Sequence, residues 1–306
     1  MSIAMKPDVS IIVVSYGTRE MTLECLHSIE SGAGNASREV IVVDNDSSDG
    51  SPRAIAAEFP TIQLIVQSAN SGFAAACNLA AGEARGEYLL LLNPDTVVRG
   101  RAVEHLLAFA RSRPEAGIWG GRTVFGDGSL NPMSCWRRPT LWSLLCSGLA
   151  LDTRYPHSPL FNAYGYGGWR RDSARDVDVV AGCFLLIKKS LWDRLGGFDA
   201  AFFMYGEDVD LCLRARRLGF RPAIAPEATI VHHGSGTEED KARKIRQVLA
   251  ARALLIRRHF PWAKRQMGLA LLALRPMLGR KLAKQSLRGT WDEVWALRRQ
   301  WMTGRF

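Results

Sequence analysis

Hydrophobic residues in the first third of the chain come in short continuous runs separated by amphipathic segments. Residues 9–17 (VSIIVVSYG), 39–45 (EVIVVDN), 61–67 (TIQLIVQ) and 87–95 (EYLLLLNPD) predict strands. The intervening residues 20–30, 51–59 and 73–84 predict helices. The unbroken Leu run in the fourth strand predicts burial on both faces, as in a parallel sheet covered by helices. This alternation points to an α/β fold that binds ligands beyond the C-terminal ends of its strands.

The rhythm breaks across residues 131–176, which mix Pro, Trp, Tyr, Gly and Arg without a period. That is long for a structureless connection, so a partly helical insertion or functional surface is expected. Order returns at residues 178–189 (DVVAGCFLLIKK), followed by a short helix from Ser190 stopped by Gly196 and Gly197. Residues 207–220 (EDVDLCLRARRLGF) predict a helix ended by Gly219, and residues 221–236 supply a final strand. From Thr237 onward the pattern is helical, with interruptions expected near Pro261 and Pro276. No repeat or low-complexity segment stands out.

A 306-residue chain with 47% hydrophobic residues supports a substantial core. Cys25, Cys77, Cys135, Cys146, Cys183 and Cys212 lack CxxC spacing, which argues against a zinc site or a disulfide framework and suits a reducing, cytoplasmic setting. The N-terminal aliphatic run is too short for a secretion signal. Residues 141–151 and 267–278 fall short of the ~18–20 apolar residues a spanning helix needs. The net charge of +10 is carried by the end of the chain, where residues 241–306 hold 17 Lys and Arg against 2 acidic residues.

Carboxylates recur where such a fold binds its ligand. Asp44 and Asp95 close the second and fourth strands, although both also suit turns or helix caps. In FFMYGEDVDLCLR, Glu207, Asp208 and Asp210 follow an aromatic run; a helix macrodipole favours acids in a first turn by roughly 0.3–1 kcal/mol each. Asp210 can also pair with Arg214 one turn later, an exposed pair of that kind contributing about 0.2–0.5 kcal/mol.

Taken in order, VSIIVVSYG, EVIVVDNDSSDGS, NSGFAAACNLA, LLLLNPDTVV, VAGCFLLIKKSLWDRLGGFDAAFFMYGEDVDLCLR and TIVHHGSGT resemble glycosyltransferase family 2, over about residues 8–260. The likeness is greatest to its rhamnosyltransferase-like branch. It implies a GT-A fold, a mostly parallel mixed sheet flanked by helices, and inverting sugar transfer from a nucleotide sugar. It further implies a catalytic domain over residues 1–240, with a nucleotide-sugar half (1–125) and an acceptor half (126–240), and a basic amphipathic helical tail over 241–306.

Carried over residue by residue, the resemblance places Ser15, Tyr16 and Asp44 in the nucleotide pocket. Asn70, Gly72, Phe73 and Asn78 would form the loop and helix start around phosphate or sugar, with Asn78 also reading as a satisfied helix-surface residue. Asn93 and Asp95 stand where the family has a DxD-type metal motif, so the first acidic ligand is missing. Asp95 and His232, with His233 as the alternative, would hold Mg²⁺ or Mn²⁺ together with diphosphate oxygens. Ala181, Gly182 and Cys183 would lie below the acceptor; Cys183 also reads as a plain buried thiol. Asp208 would be the general base and Glu207 would orient the acceptor.

The implied donor is dTDP-L-rhamnose, with UDP- and GDP-hexoses as alternatives. The implied acceptor is a saccharide, carried on a polyprenyl diphosphate, in bacterial cell-surface polysaccharide synthesis. The tail combines Leu, Met and Trp with Arg and Lys, which suits peripheral attachment to an anionic membrane surface on the cytoplasmic side; the alternative is packing on the catalytic domain. No nucleic-acid partner is expected, since a basic nucleic-acid-binding or non-catalytic module leaves the acidic strand ends unused. A sugar nucleotidyltransferase is the other rival, because Tyr16-Gly17-Thr18-Arg19 resembles part of that class's glycine-rich loop.

Overall fold

The computed structural model describes residues 6–234, 240–282 and 285–304. The chain opens with strict alternation: β1 (Val9–Ser15), α1 (Arg19–Gly32), β2 (Arg38–Asp44), α2 (Ser51–Glu58), β3 (Gln63–Val66), α3 (Phe73–Glu83) and β4 (Tyr88–Leu92). Alternate side chains of the strands enter two different cores. Ile11, Val13, Leu90 and Leu92 pack with Leu26 and Ile29 of α1, whereas Ile12, Val14, Leu89 and Leu91 pack with Ala76, Cys77 and Ala80 of α3. The continuous apolar runs exist because both faces are covered.

Next come β5 (Thr96–Val98), α4 (Ala102–Ser112) and β6 (Ile118–Val124), three elements the hydrophobic pattern alone did not bring out. The irregular region holds β7 (Cys135–Trp136), α5 (Leu141–Gly148), α6 (Leu151–Arg154), β8 (Arg175–Asp176) and β9 (Val179–Val180), a partly helical insertion. β10 (Phe184–Lys188), α7 (Lys189–Leu195), α8 (Glu207–Arg217) and β11 (Ala223–His232) complete the sheet. Its order is β3-β2-β1-β4-β10-β6-β11-β5, with β8 on β11. The single run expected over residues 178–189 is two strands broken at 181–183, and β10 runs antiparallel to both β4 and β6. Its reversal brings residues 181–183 to the edge where the parallel strands end.

Four helices follow: α9 (Lys241–His259), α10 (Trp262–Leu282), α11 (Gln285–Ala296) and α12 (Arg298–Trp301). The expected helix start at residues 237–239 lies outside the described residues. The interruption expected at Pro276 does not occur; Pro276 is buried inside α10. A proline removes one ladder hydrogen bond, and packing of α10 on α5 and α11 compensates for that loss. The tail's apolar residues form a third core, in which Leu249, Ile256, Leu272, Val294 and Trp301 surround Leu144 of α5. Ala251 and Leu255 of α9 join the same core as α8. No described helix is long and apolar enough to cross a membrane.

Candidate active site

The strand ends converge on one edge of the sheet. Asp44 is fully buried opposite Ser15 in register. Its Oδ1 accepts the Ser47 amide at 2.9 Å, while Oδ2 has no partner. An unsatisfied buried acceptor costs about 1–3 kcal/mol, and more when charged, so this atom is available to a donor group on a ligand. Ser15 is used internally, its hydroxyl lying 3.0 Å from that of Thr22. Tyr16 next to it is exposed.

Asn45 organises the neighbouring loop. Its Nδ2 donates to Asn70 Oδ1 at 2.9 Å, and its Oδ1 accepts Gln67 Nε2 at 2.7 Å and the Ser71 amide at 3.0 Å. Asn70 also accepts the Gly72 amide at 2.9 Å, so its side chain shapes the loop. The sequence reading passed over Asn45 and Gln67; the signal was a second polar residue directly behind a buried strand end. Gly72 has φ +83°, and a Cβ there would stand 2.4 Å from Phe203 O. The Phe73 amide donates to that same oxygen at 2.9 Å, joining the loop before α3 to the loop before α8. Asn78, expected at the ligand, has its amide committed elsewhere: Nδ2 donates to Phe198 O at 2.8 Å and Oδ1 accepts the Phe198 amide at 2.9 Å. Its position one turn into α3 aims it at the chain after α7.

Asp95 precedes β5 and His232 ends β11, where His232 pairs with Thr96. Nε2 of His232 stands 3.4 Å from Asp95 Oδ1, whereas His233 meets Asp95 through its backbone amide at 3.1 Å. Burial raises the pKa of Asp95, but His232 outweighs it and holds the carboxyl below the usual range. Burial pulls His232 down; Cys183 and Asp95 outweigh that and bring it to about 10. Cys183, expected beside the acceptor, therefore sits against the Asp95–His232 pair.

His232 Nδ1 is buried without a partner, and Asn131 Nδ2 donates to the His232 carbonyl at 3.0 Å, fixing the strand end. Among the described residues no group of three or more His, Cys, Asp or Glu could hold a metal. An oxygen–nitrogen pair fits a divalent ion that takes its remaining ligands from substrate phosphates and water. Asn93 contributes its backbone, accepting Thr96 Oγ1 at 2.6 Å and donating to Cys183 O at 3.1 Å.

On the other side, Tyr205 and Gly206 take φ +69° and +86°, turning the chain sharply into α8. Glu207 and Asp208 are both buried there. Asp208 Oδ2 accepts the Gly182 amide at 3.0 Å and Oδ1 accepts the Val209 amide at 2.7 Å. Burial raises the Asp208 pKa against these bonds. Burial, with the Asp208 charge second, pushes Glu207 up to about 8, and its Oε2 has no partner. A Cβ on Gly182 would lie 3.6 Å from the Phe73 ring and 3.7 Å from Asp208 Cβ, so Phe73, Gly182 and Asp208 meet. Asp210 pairs with Arg214 Nε at 2.7 Å as expected, but in a buried network, because it also accepts from His259 of α9 at 2.8 Å.

A family model described as Glycosyl transferase family 2 matches residues 10–195. An N-acetylglucosaminyl-diphospho-decaprenol L-rhamnosyltransferase of Mycobacterium tuberculosis is 32% identical over 207 residues, spanning 63% of this chain and 66% of that protein, just under two thirds of its length. Rhamnosyltransferase WbbL of Escherichia coli is 27% identical over 74% of this chain and 83% of its own. Among solved structures, the mannosyltransferase PcManGT from Pyrobaculum calidifontis, in complex with GDP-Man and Mn²⁺, superposes with a TM-score of 0.55 at 20% identity, over 98% of this chain and 84% of that one. S. aureus TarS 1-349 in complex with UDP gives 0.53 at 17% identity, over 96% and 80%. These last two share the fold.

Proposed function

The chain belongs to glycosyl transferase family 2, and from that premise we propose that it transfers L-rhamnose from dTDP-L-rhamnose, with inversion, to a saccharide carried on a polyprenyl diphosphate. The names of its mycobacterial and enterobacterial relatives support the sugar, and the first of them supports the lipid-linked acceptor and a place in polysaccharide assembly. One observation carries the reading: Asp208 of the buried acid pair meets Gly182 and Phe73, and the next residue, Cys183, lies against His232, the partner of Asp95.

Inverting transfer needs a base on the acceptor side, opposite the departing nucleotide diphosphate. Asp208 takes the proton of the attacking hydroxyl. The amides of Gly182 and Val209 hold its carboxylate in one orientation, and burial makes it more basic than a free aspartate. Burial, with the Asp208 charge second, pushes the Glu207 carboxyl up to about 8, which favours its protonated form and lets it donate to an acceptor oxygen.

On the donor side Asp44 Oδ2 accepts from the nucleobase imide, and the N-terminus of α3 faces phosphate or sugar oxygens. Asp95 and His232 would hold Mg²⁺ or Mn²⁺, which would supply positive charge against the departing diphosphate. The exposed aromatics before α8 include Phe203, which helps to limit water.

The same reading puts the enzyme on the cytoplasmic membrane surface, attached peripherally. Trp262, Met267 and Leu282 of α10 are exposed beside Lys264 and Lys281, a combination suited to an anionic interface. The deciding experiment is a screen of dTDP-, UDP- and GDP-sugars for metal-dependent transfer to a lipid-linked saccharide. Turnover of dTDP-L-rhamnose alone supports the assignment; turnover of only UDP- or GDP-hexoses overturns the donor, and absence of any transfer overturns the reaction.

A further inference from the structure

A second cavity, of about 320 Å³, lies away from the strand ends, between α5, α6, α9, α10 and α11. Leu249, Leu272 and Trp291 give it apolar walls, and Lys244, Arg252 and Arg275 also line it. All three cations are partly buried and none makes an ion pair among the described residues. Among the described residues Asp152 is the only acid in the lining. Partly desolvated cations without counter-charges are costly to keep unless an anion completes them.

The hollow is built into the packing. At Gly148 of α5 an added Cβ would stand 3.0 Å from Leu274 of α10, so the glycine sets how closely these two helices approach. An apolar interior with several cations on its wall recognises one kind of molecule, an anionic amphiphile.

One cation of the wall also reaches an aromatic residue outside the cavity. The Arg252 guanidinium lies 6.0 Å from the centroid of the Tyr164 ring. Burial first, opposed by Arg252 and reinforced by the Asp208 charge, pushes Tyr164 up to about 12, so Tyr164 feels both charges. Trp136 stacks on Tyr164 at 6.3 Å with the rings 15° apart, which fixes the plane of the Tyr164 ring.

We infer that this cavity binds the prenyl diphosphate of a lipid-linked acceptor. Arg252, Lys244 and Arg275 take the diphosphate, the apolar walls take the first isoprene units, and the attached sugar reaches past Tyr164 to Asp208. The assignment rests on the reaction proposed above, but its test does not use that reaction.

Farnesyl diphosphate, titrated calorimetrically into the full chain without any nucleotide sugar, is expected to bind saturably. Inorganic diphosphate and farnesol, each keeping half of the recognition, are expected to bind about tenfold or more weakly. Arg252→Ala and Lys244→Ala are each expected to weaken farnesyl diphosphate by about tenfold, and Arg252→Lys to recover part of the loss. Val248→Trp, which fills the hollow, is expected to abolish binding while leaving the affinity for dTDP-L-rhamnose and the melting temperature unchanged.

Inorganic diphosphate binding as tightly as farnesyl diphosphate, or unchanged binding in both Arg252→Ala and Val248→Trp, overturns the assignment. A chain that turns over nucleotide sugar without binding farnesyl diphosphate overturns the cavity and spares the reaction. The opposite result overturns the reaction and spares the cavity.

Discussion

His259 on α9 donates its Nε2 hydrogen to Asp210 Oδ1 on α8 at 2.8 Å, two residues beyond Asp208. Arg217 donates to the other ring nitrogen at 3.0 Å, and Arg214 holds Asp210 while also bonding the carbonyls of Leu195 and Gly197 at 2.8 Å each. Through this network the C-terminal helices set the position of the helix that carries the acid pair.

Breaking that contact is expected to lower stability. His259→Ala takes a hydrogen bond from a buried carboxylate and should cost about 1–3 kcal/mol, read as a fall in melting temperature. Burial raises the Asp210 pKa, but His259 and Arg214 outweigh it and hold the group low. A lowered folded pKa gives stability that is present above the unfolded value and lost as pH falls through the folded one. Below about pH 4, wild type should therefore lose stability more steeply than Asp210→Asn. Parallel acid-melting curves would refute this.

The acid pair separates into two roles. Asp208→Asn is expected to lower kcat by about 10²–10⁴-fold with donor affinity preserved, since a general base contributes that much. Glu207 behaves differently, its pKa being pushed up to about 8 from 4.5. A raised folded pKa gives stability that is present below the unfolded value and lost as pH rises through the folded one. Glu207→Gln copies the neutral acid, so relative to wild type it should become more stable from about pH 5 to pH 9 in denaturant melts.

Gly72→Ala tests the joint between the two loops. With φ +83° and ψ 166° the residue lies in a region nearly confined to glycine, and the new Cβ would collide with Phe203 O. A cost of about 1–3 kcal/mol or more is expected. The KM for both donor and acceptor should rise, because one peptide contact positions both loops; a rise confined to one substrate would show that they are independent.

Metal affinity is expected to respond to the missing acid. Asn93→Asp restores a second carboxylate beside Asp95, and Mn²⁺ titration without nucleotide should show about tenfold tighter binding. Asp95→Ala should remove metal-dependent turnover, and His232→Gln should weaken Mn²⁺ more than Mg²⁺.

The sheet was legible because runs such as YLLLL are apolar on both faces, and a strand covered on one side only would have alternated. Asp44, Asp95 and Asp208 could be picked out because each comes within three residues of the end of an apolar or aromatic run. The Asp210 network was not legible, since its partner His259 lies 49 residues away and no local period marks it. The tail was ambiguous for a related reason: Leu with Arg at helical spacing looks the same whether the apolar face meets lipid or protein. α9 meets protein, through Ala251 and Leu255, while Trp262 of α10 stays exposed. The bonds of Asn78 to Phe198 were not legible, because a motif position fixes where a side chain starts and says nothing about the peptide it turns to meet.

The backbone hydrogen bond from Phe73 to Phe203 has a thermodynamic consequence. The loop before α3, assigned above to the donor, and the loop that leads to Asp208 share this hydrogen bond, with Gly72 leaving no slack between them. Ordering either loop orders the other. If donor binding tightens acceptor binding by some factor, acceptor binding must tighten donor binding by the same factor, since such coupling is reciprocal. A nucleotide sugar met without its acceptor would find the pocket half assembled, and its loss to water would be slowed by the same joint that speeds transfer.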